Sequence, residues 1–255
     1  MPPIENYDVY TSGMEKSMED KLFWLNRIPK NEYSVVIDYG CADGTFLKKV
    51  REYNPDCFLC GIDIDDLMLE KAKEKVGRNA VFLHESMLGT PSHLNGDVIN
   101  LSSVLHEIYS YKTEKEICNF LDYISGYKYI CIRDMCIDDV KTNNMYVPEL
   151  AYKDDAEKTR RLEFEEIWGP ITEPKNFVHY MLKYRYVENW KREVKENYLP
   201  ISYKRFNDLA RILGYDIVYE RHYTLSFLKK KILEDWGYEL TVPTHIQMIW
   251  KRKEY

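Results

Sequence analysis

Residues 35–46 read "VVIDYGCADGTF", from Val35 to Phe46. A short apolar run meets Asp38, then Gly40 and Gly44, then a pattern able to start a helix. An apolar run of this length, bounded by turn residues, reads as a buried strand. A glycine directly after a strand permits torsions closed to other residues and lets a ligand approach the main chain. The helix N-terminus that follows offers free N–H groups. The stretch is therefore a strand, a turn and a helix, with a carboxylate placed beside the turn.

The same rhythm extends outward. Ser34–Ile37 reads as the first strand and Gly44–Tyr53 as the helix after it, ended near Asn54-Pro55. Phe58–Ile64 is a second strand, and Asp65-Asp66 cap a helix that runs to Val76 and stops at Gly77. Ala80–Leu83 and Asp97–Leu101 are further strands, Thr113–Ile124 a helix and Tyr127–Ile132 a fifth strand. Strands alternating with helices predict an α/β, doubly wound, mostly parallel sheet, with any ligand beyond the strands' C-terminal ends. From about Ile137 to Pro200 the strand pattern stops, and helices are expected near Lys158–Trp168 and Asn176–Val194. Sheet rhythm returns with a helix Ser202–Leu213, a strand Tyr215–Tyr219, a helix Thr224–Asp235 and a strand His245–Trp250. The expected organisation is one domain over 1–255 with a seven-stranded sheet. A helical segment over 1–30 and a helical insertion over 137–200 are expected to roof its open end.

Composition narrows the class. The formal net charge of -6 gives no global basic field for nucleic acid. No apolar stretch approaches the roughly 20 residues of a membrane span. The first 21 residues are polar and acidic and do not read as a signal peptide. The cysteines, Cys41, Cys57, Cys60, Cys118, Cys131 and Cys136, lie in or beside apolar segments. Reduced, buried thiols and a cytoplasmic location are expected. Cys57 and Cys60 form a CxxC inside a predicted strand, with no second CxxC to complete a zinc site.

The nicotinamide fingerprint GxGxxG fails here, because Ala42 and Thr45 stand where its second and third glycines belong. What fits is an acid, one residue, glycine, three residues, glycine: Asp38, Gly40, Gly44. This pattern resembles motif I of the class I S-adenosylmethionine-dependent methyltransferases. The acid makes physical sense there, since that cofactor carries an ammonium and a sulfonium whereas a dinucleotide carries a pyrophosphate. The resemblance implies that Asp38, Gly40, Cys41, Ala42 and Gly44 cradle the aminoacyl part of S-adenosyl-L-methionine. It implies that Asp63, 23 residues after Gly40 in "GIDID", holds the ribose and Ile64 packs on the adenine. Glu85 or Ser86, in "VFLHESML", meets the adenine edge by the same resemblance. Ser102 stands in "DVINLSSVLHEI", where the family arranges groups that face the methyl. Many members carry glycine where this chain has Ala42.

Methyl transfer from sulfonium is an in-line displacement that needs alignment and a dry site, and a base only for some acceptors. His106 and Glu107, just beyond the fourth strand, are the candidate bases. No metal is expected. A metal-dependent RNA 3′-end methyltransferase family places a further acid where this chain has Ser102 and Ser103, and Asp134, Asp138 and Asp139 read as a solvated loop. Tyr7, Tyr10, Tyr109 and Tyr111 are rings that cation–π attraction could bring to the sulfonium, though each reads more simply as packing. From Lys175 to Arg205 the chain mixes rings with bases, among them Tyr180, Lys183, Tyr184, Arg192 and Arg205. RNA favours such interleaving. The simpler expectation buries Tyr180, Tyr184 and Val187 and solvates the cations. A small-molecule acceptor is the first expectation, with RNA or protein as the alternative and a non-catalytic cofactor-binding subunit as another.

Overall fold

The structure, a computed structural model, describes residues 6–7, 17–84 and 96–254. Seven strands form one sheet: β1 Val35–Tyr39, β2 Phe58–Asp63, β3 Ala80–His84, β4 Val98–Ser102, β5 Tyr129–Met135, β6 Tyr215–Tyr223 and β7 His245–Arg252. Their order is β3-β2-β1-β4-β5-β7-β6. β1 to β5 run parallel, and β7 inserts antiparallel between β5 and β6. The central strands are buried on both faces, which is why they appear in the sequence as continuous apolar runs. Asp97 pins the start of β1, its carboxylate accepting from the backbone of Ser34 and Val35.

One core lies on one face of the sheet, around Ile99, Ile130, Phe206 and Trp250. A second lies on the other face, around Trp24, Leu47, Leu59 and Cys131. A third forms between the insertion and the chain after β6, where Phe164, Phe177 and Met181 pack with Leu228, Ile232 and Leu240.

Several expectations need correction. The helical segment expected over 1–30 is, among the described residues, the single helical turn Met18–Lys21 followed by further turns. The long helix expected over Asn176–Val194 breaks into Pro174–Lys183, a 3-10 turn Val187–Asn189 and a short helix Trp190–Glu193. The break turns the chain so that the Lys183 amine caps the carbonyls of Glu193 and Glu196. Lys183 and Arg192 are consequently buried, not solvated, whereas Val187 is half exposed. A helix, Leu105–Tyr111, follows β4 where only a turn was expected. Asp134 is buried at the end of β5, and Cys118 is exposed while the other cysteines are buried.

Gly40 and Gly44 both hold positive φ, 78° and 74°. A Cβ on Gly44 would also meet Ala72 Cβ and Val76 Cγ2 at 2.9 Å, both on the helix Asp66–Val76. Packing against that helix, as well as torsion, excludes a side chain here. Gly237 has φ 62° with nothing near its absent Cβ. Gly44→Ala should therefore cost about 2–3 kcal/mol, since strain and overpacking add, and Gly237→Ala only about 1 kcal/mol. Urea midpoints of the two variants measure the difference; equal losses would mean that the approach of the helix is immaterial.

Candidate functional site

The C-terminal ends of β1 and β4 face a cleft lined by Met18, Lys21, Asp38, Gly40, Cys41, Ala42, Asp43, Thr45, Phe46, Asn100 and Ser102. Asp38, Gly40, Cys41, Ala42 and Ser102 were expected there from sequence. Gly44 stands just behind as the N-cap of the helix Thr45–Tyr53. Asp63 joins the loop from β2, one carboxylate oxygen accepting from Ala42 N at 2.7 Å and the other from Asp65 N at 3.0 Å. Ile64 follows it, and its carbonyl bonds the His84 ring. Glu85, Ser86 and Tyr10 lie outside the described residues. Met18, Lys21, Asp43, Thr45, Phe46 and Asn100 were not anticipated. Asn100 had a readable signal, a polar residue within the apolar strand "VINLS".

Asp38 is held by a relay. Asn100 Nδ2 donates to Asp38 Oδ1 at 2.7 Å, and Trp24 Nε1 donates to Asn100 Oδ1 at 3.2 Å. Burial pushes the Asp38 carboxyl up to about 7, against the opposing pull of Asn100 and Lys21. Lys21 reaches the same cleft from the N-terminal segment. Burial brings its amine down to about 8, helped by Arg133 and opposed by Asp38, Asp43 and Asp134. Ala42 sits at φ 44°, a left-handed torsion that costs a non-glycine residue roughly 1–2 kcal/mol.

Beyond β4 lies a buried charged cluster. Asp134 accepts from the backbone of Leu105 at 2.9 Å and His106 at 3.3 Å, and bonds His106 Nδ1 at 2.8 Å. His106 Nε2 faces Glu196 of the insertion at 3.8 Å. Arg192 donates to Glu107 at 2.6 Å and to Glu196 at 2.8 Å, and Tyr111 adds a bond to Glu196. His106, Glu107 and Glu196 bring one ligand atom each within 4.8 Å of one another. The Arg192 guanidinium already bridges the two carboxylates of that set. Asp138 caps a helix through Lys141 N, and Tyr7 bonds Asp65 at 2.7 Å. Burial alone would neutralise His106, but Asp134, Glu107 and Glu196 outweigh it and lift the imidazole to about 9. Burial, with Glu196, raises Glu107 to about 7 against the pull of Arg192 and His106.

A parallel sheet with one antiparallel insertion at β7, and an acid-flanked glycine turn after its first strand, define the class of S-adenosylmethionine-dependent methyltransferases. The residues present fit that donor: carboxylates on the turn suit a cation, and each Asp63 oxygen keeps a lone pair for a hydroxyl beyond its backbone bond. The methyltransferase domain family matches residues 30–196, and the chain belongs to it. It is 28% identical over 112 residues to malonyl-[acyl-carrier protein] O-methyltransferase 1 of Ilyobacter polytropus, covering 44% of this chain and 34% of that one. It is 31% identical over 127 residues to carboxy-S-adenosyl-L-methionine synthase 1 of Yersinia pseudotuberculosis, covering 44% of this chain and 51% of that one. The chain thus spans about a third to a half of the length of these curated relatives. A solved O-methyltransferase family protein from Burkholderia thailandensis shares the fold, with a TM-score of 0.57 at 14% identity, over 97% of this chain and 59% of that one. No helix among the described residues is long and apolar enough to cross a membrane.

The His106 proton is the most direct check on this electrostatic arrangement. Its folded value of about 9 exceeds the ordinary 6.5, so its contribution to stability is whole below about pH 6.5 and is lost as pH climbs through 9. NMR titration should show the His106 ring protonated at neutral pH, and Asp134→Asn should lower its midpoint by roughly 1–3 pH units. A ring that titrates near 6.5 in both proteins would refute the arrangement.

Proposed function

We propose that the chain transfers the methyl group of S-adenosyl-L-methionine to a small-molecule acceptor, with residues 137–200 and the N-terminal segment covering the acceptor's place. The observation that carries this reading is the relay Trp24–Asn100–Asp38, which fixes a carboxylate against the glycine turn from behind. In this reading Asp38 and Asp43 face the ammonium and sulfonium, and Asp63 takes the ribose hydroxyls. Ser102 lies toward the methyl. The donor, when bound, supplies an electrophilic methyl; this chain supplies alignment and the exclusion of water. His106, carrying a proton at neutral pH, acts as a fixed cation and not as a base; Glu107, raised toward neutrality, is the better candidate to take a proton.

Two observations support a small acceptor over RNA. Lys183 and Arg192, two cations of the segment expected to suit RNA, are spent inside the fold. The curated relatives are named for a malonyl group on acyl-carrier protein and for a carboxylated form of the donor.

Calorimetry tests the reading. The chain should bind S-adenosylhomocysteine and S-adenosylmethionine, and not NAD. Asp63→Ala should weaken both by about tenfold or more, the loss of a charged hydrogen-bond partner. Asp38 must shed its proton, held to about 7, before it faces a cation, so donor affinity should rise between pH 6 and 8. Asp38→Asn should flatten that rise. Uptake of NAD in preference to the sulfonium cofactor would refute the assignment.

A further inference from the structure

Beside Asp134, the end of β5 carries a buried cation that no carboxylate among the described residues bonds. Side chains alternate across a strand, so Arg133 points away from the His106 cluster, to the face that holds Trp24 and Cys131. It is 3% exposed. Its Nη1 donates to Ser103 Oγ at 2.6 Å. Its Nε and Nη2 are buried and make no hydrogen bond among the described residues. The nearby carboxylates are engaged elsewhere: Asp134 with His106, and Glu107 and Glu196 with Arg192. Asp134 answers the charge through space only, without a hydrogen bond to the guanidinium, and Lys21 adds positive charge. The two cations lie close enough to repel. Burial, and then the charge of Arg133, hold His245 neutral. The Tyr223 hydroxyl is buried beside the guanidinium and turned toward it, a neutral group placed to share its free edge.

A guanidinium cannot escape burial by losing its proton. Left unpaired it is among the costliest groups a fold can enclose. The two free nitrogens share one edge of the guanidinium plane, the edge that matches both oxygens of one carboxylate. Ser103, which holds the third nitrogen, adopts a left-handed φ of 59° and donates its own N–H to the Arg133 carbonyl at 2.7 Å. Such torsions persist only where the surroundings enforce them. The free edge is therefore held in place from two sides.

This edge adjoins the donor's cleft at its β4 end, where Lys21 and Ser102 line it. The glycine turn follows β1 and Asp63 ends β2, whereas Arg133 pairs in register with Ser102 of β4 and Gln247 of β7. It therefore stands farther along the sheet than the acids of the turn. We propose that Arg133, with Lys21 and Tyr223, binds a carboxylate carried by the methyl acceptor, so that the substrates are small carboxylic acids or their conjugates. This deepens the methyltransferase reading and rests on it.

The full chain, saturated with S-adenosylhomocysteine, is titrated by calorimetry with malonate and with benzoate. Malonamide, benzamide and inorganic phosphate serve as controls. At least one carboxylate should bind, its amide and phosphate should bind at least tenfold more weakly, and Arg133→Gln should weaken the carboxylate at least tenfold. The affinity of that variant for S-adenosylhomocysteine should stay within about twofold. Tyr223→Phe should weaken the carboxylate several-fold, and it carries the test if Arg133→Gln does not fold. Amides or phosphate binding as well as the acids, no carboxylate binding, or binding indifferent to the substitutions would overturn the proposal. A tenfold loss of S-adenosylhomocysteine by Arg133→Gln would overturn it too, assigning the edge to the donor's own carboxylate. Failure of the unaltered chain to take up S-adenosylhomocysteine would instead strike the donor reading beneath it.

Discussion

The Asp134 carboxylate sits at the centre of the structure's chemistry. It accepts the first N–H groups of the helix Leu105–Tyr111, the N–H of Met135 and the His106 ring. Burial would raise its carboxyl, but the His106 charge and these bonds hold it below the ordinary value. One ionised group thereby starts a helix, fixes an imidazolium and ties the end of β4 to the end of β5. The insertion is then drawn in, because His106 and Glu107 present buried charge that must be met. Glu196 and Arg192 meet it from the insertion side. The second tie is Lys183, whose amine closes the carbonyl end of the same segment.

This arrangement divides the open end of the sheet by charge. The β1–β2 side presents Asp38 and Asp43 to a cleft, with Asp63 bonded to the turn beside it. On the β5 side, on the face toward the N-terminal segment, stands Arg133, with Lys21 between the two regions. A cationic donor and an anionic acceptor sorted onto these two sides would have their reacting ends meet at the line between them, over β4. Electrostatic sorting of this kind fixes orientation before any contact with the reacting atoms is made.

The central strands were legible in the sequence because burial on both faces writes itself as apolar runs, and the cap residues Asp65, Thr113 and Ser202 stood where local chemistry puts them. The glycine turn, Asp38 and Asp63 were legible for a similar reason: their spacing along the chain is set by one strand, one turn and one helix. The helix Leu105–Tyr111 was not legible, since the group that caps it is Asp134, contributed by the next strand of the sheet. The break near Tyr184 was hidden likewise. Its cause is a lysine reaching carbonyls ten and thirteen residues ahead, and no periodicity reports that. Charged residues in the insertion read as a solvated face because periodicity counts apolar positions, and a buried ion pair looks the same as an exposed one.

The glycine turn shows how packing and function share a constraint. The amides of Gly40 and Cys41 donate to the Ile62 carbonyl, that of Ala42 to Asp63, that of Gly44 to the Cys41 carbonyl and that of Thr45 to Asp43. These donors are committed to holding β1, β2 and the turn in register, so they cannot also serve as an anion cradle. A pyrophosphate would find them taken and would meet Asp38, Asp43 and Asp63 besides. The turn is thus poorly suited to a dinucleotide on two grounds, committed donors and present acids, and both follow from the same residues that close the loop. Ala42 fits this account. Its left-handed torsion is held by the bond from its amide to Asp63, so the carboxylate proposed to take the ribose also keeps the turn in the shape that places Asp38.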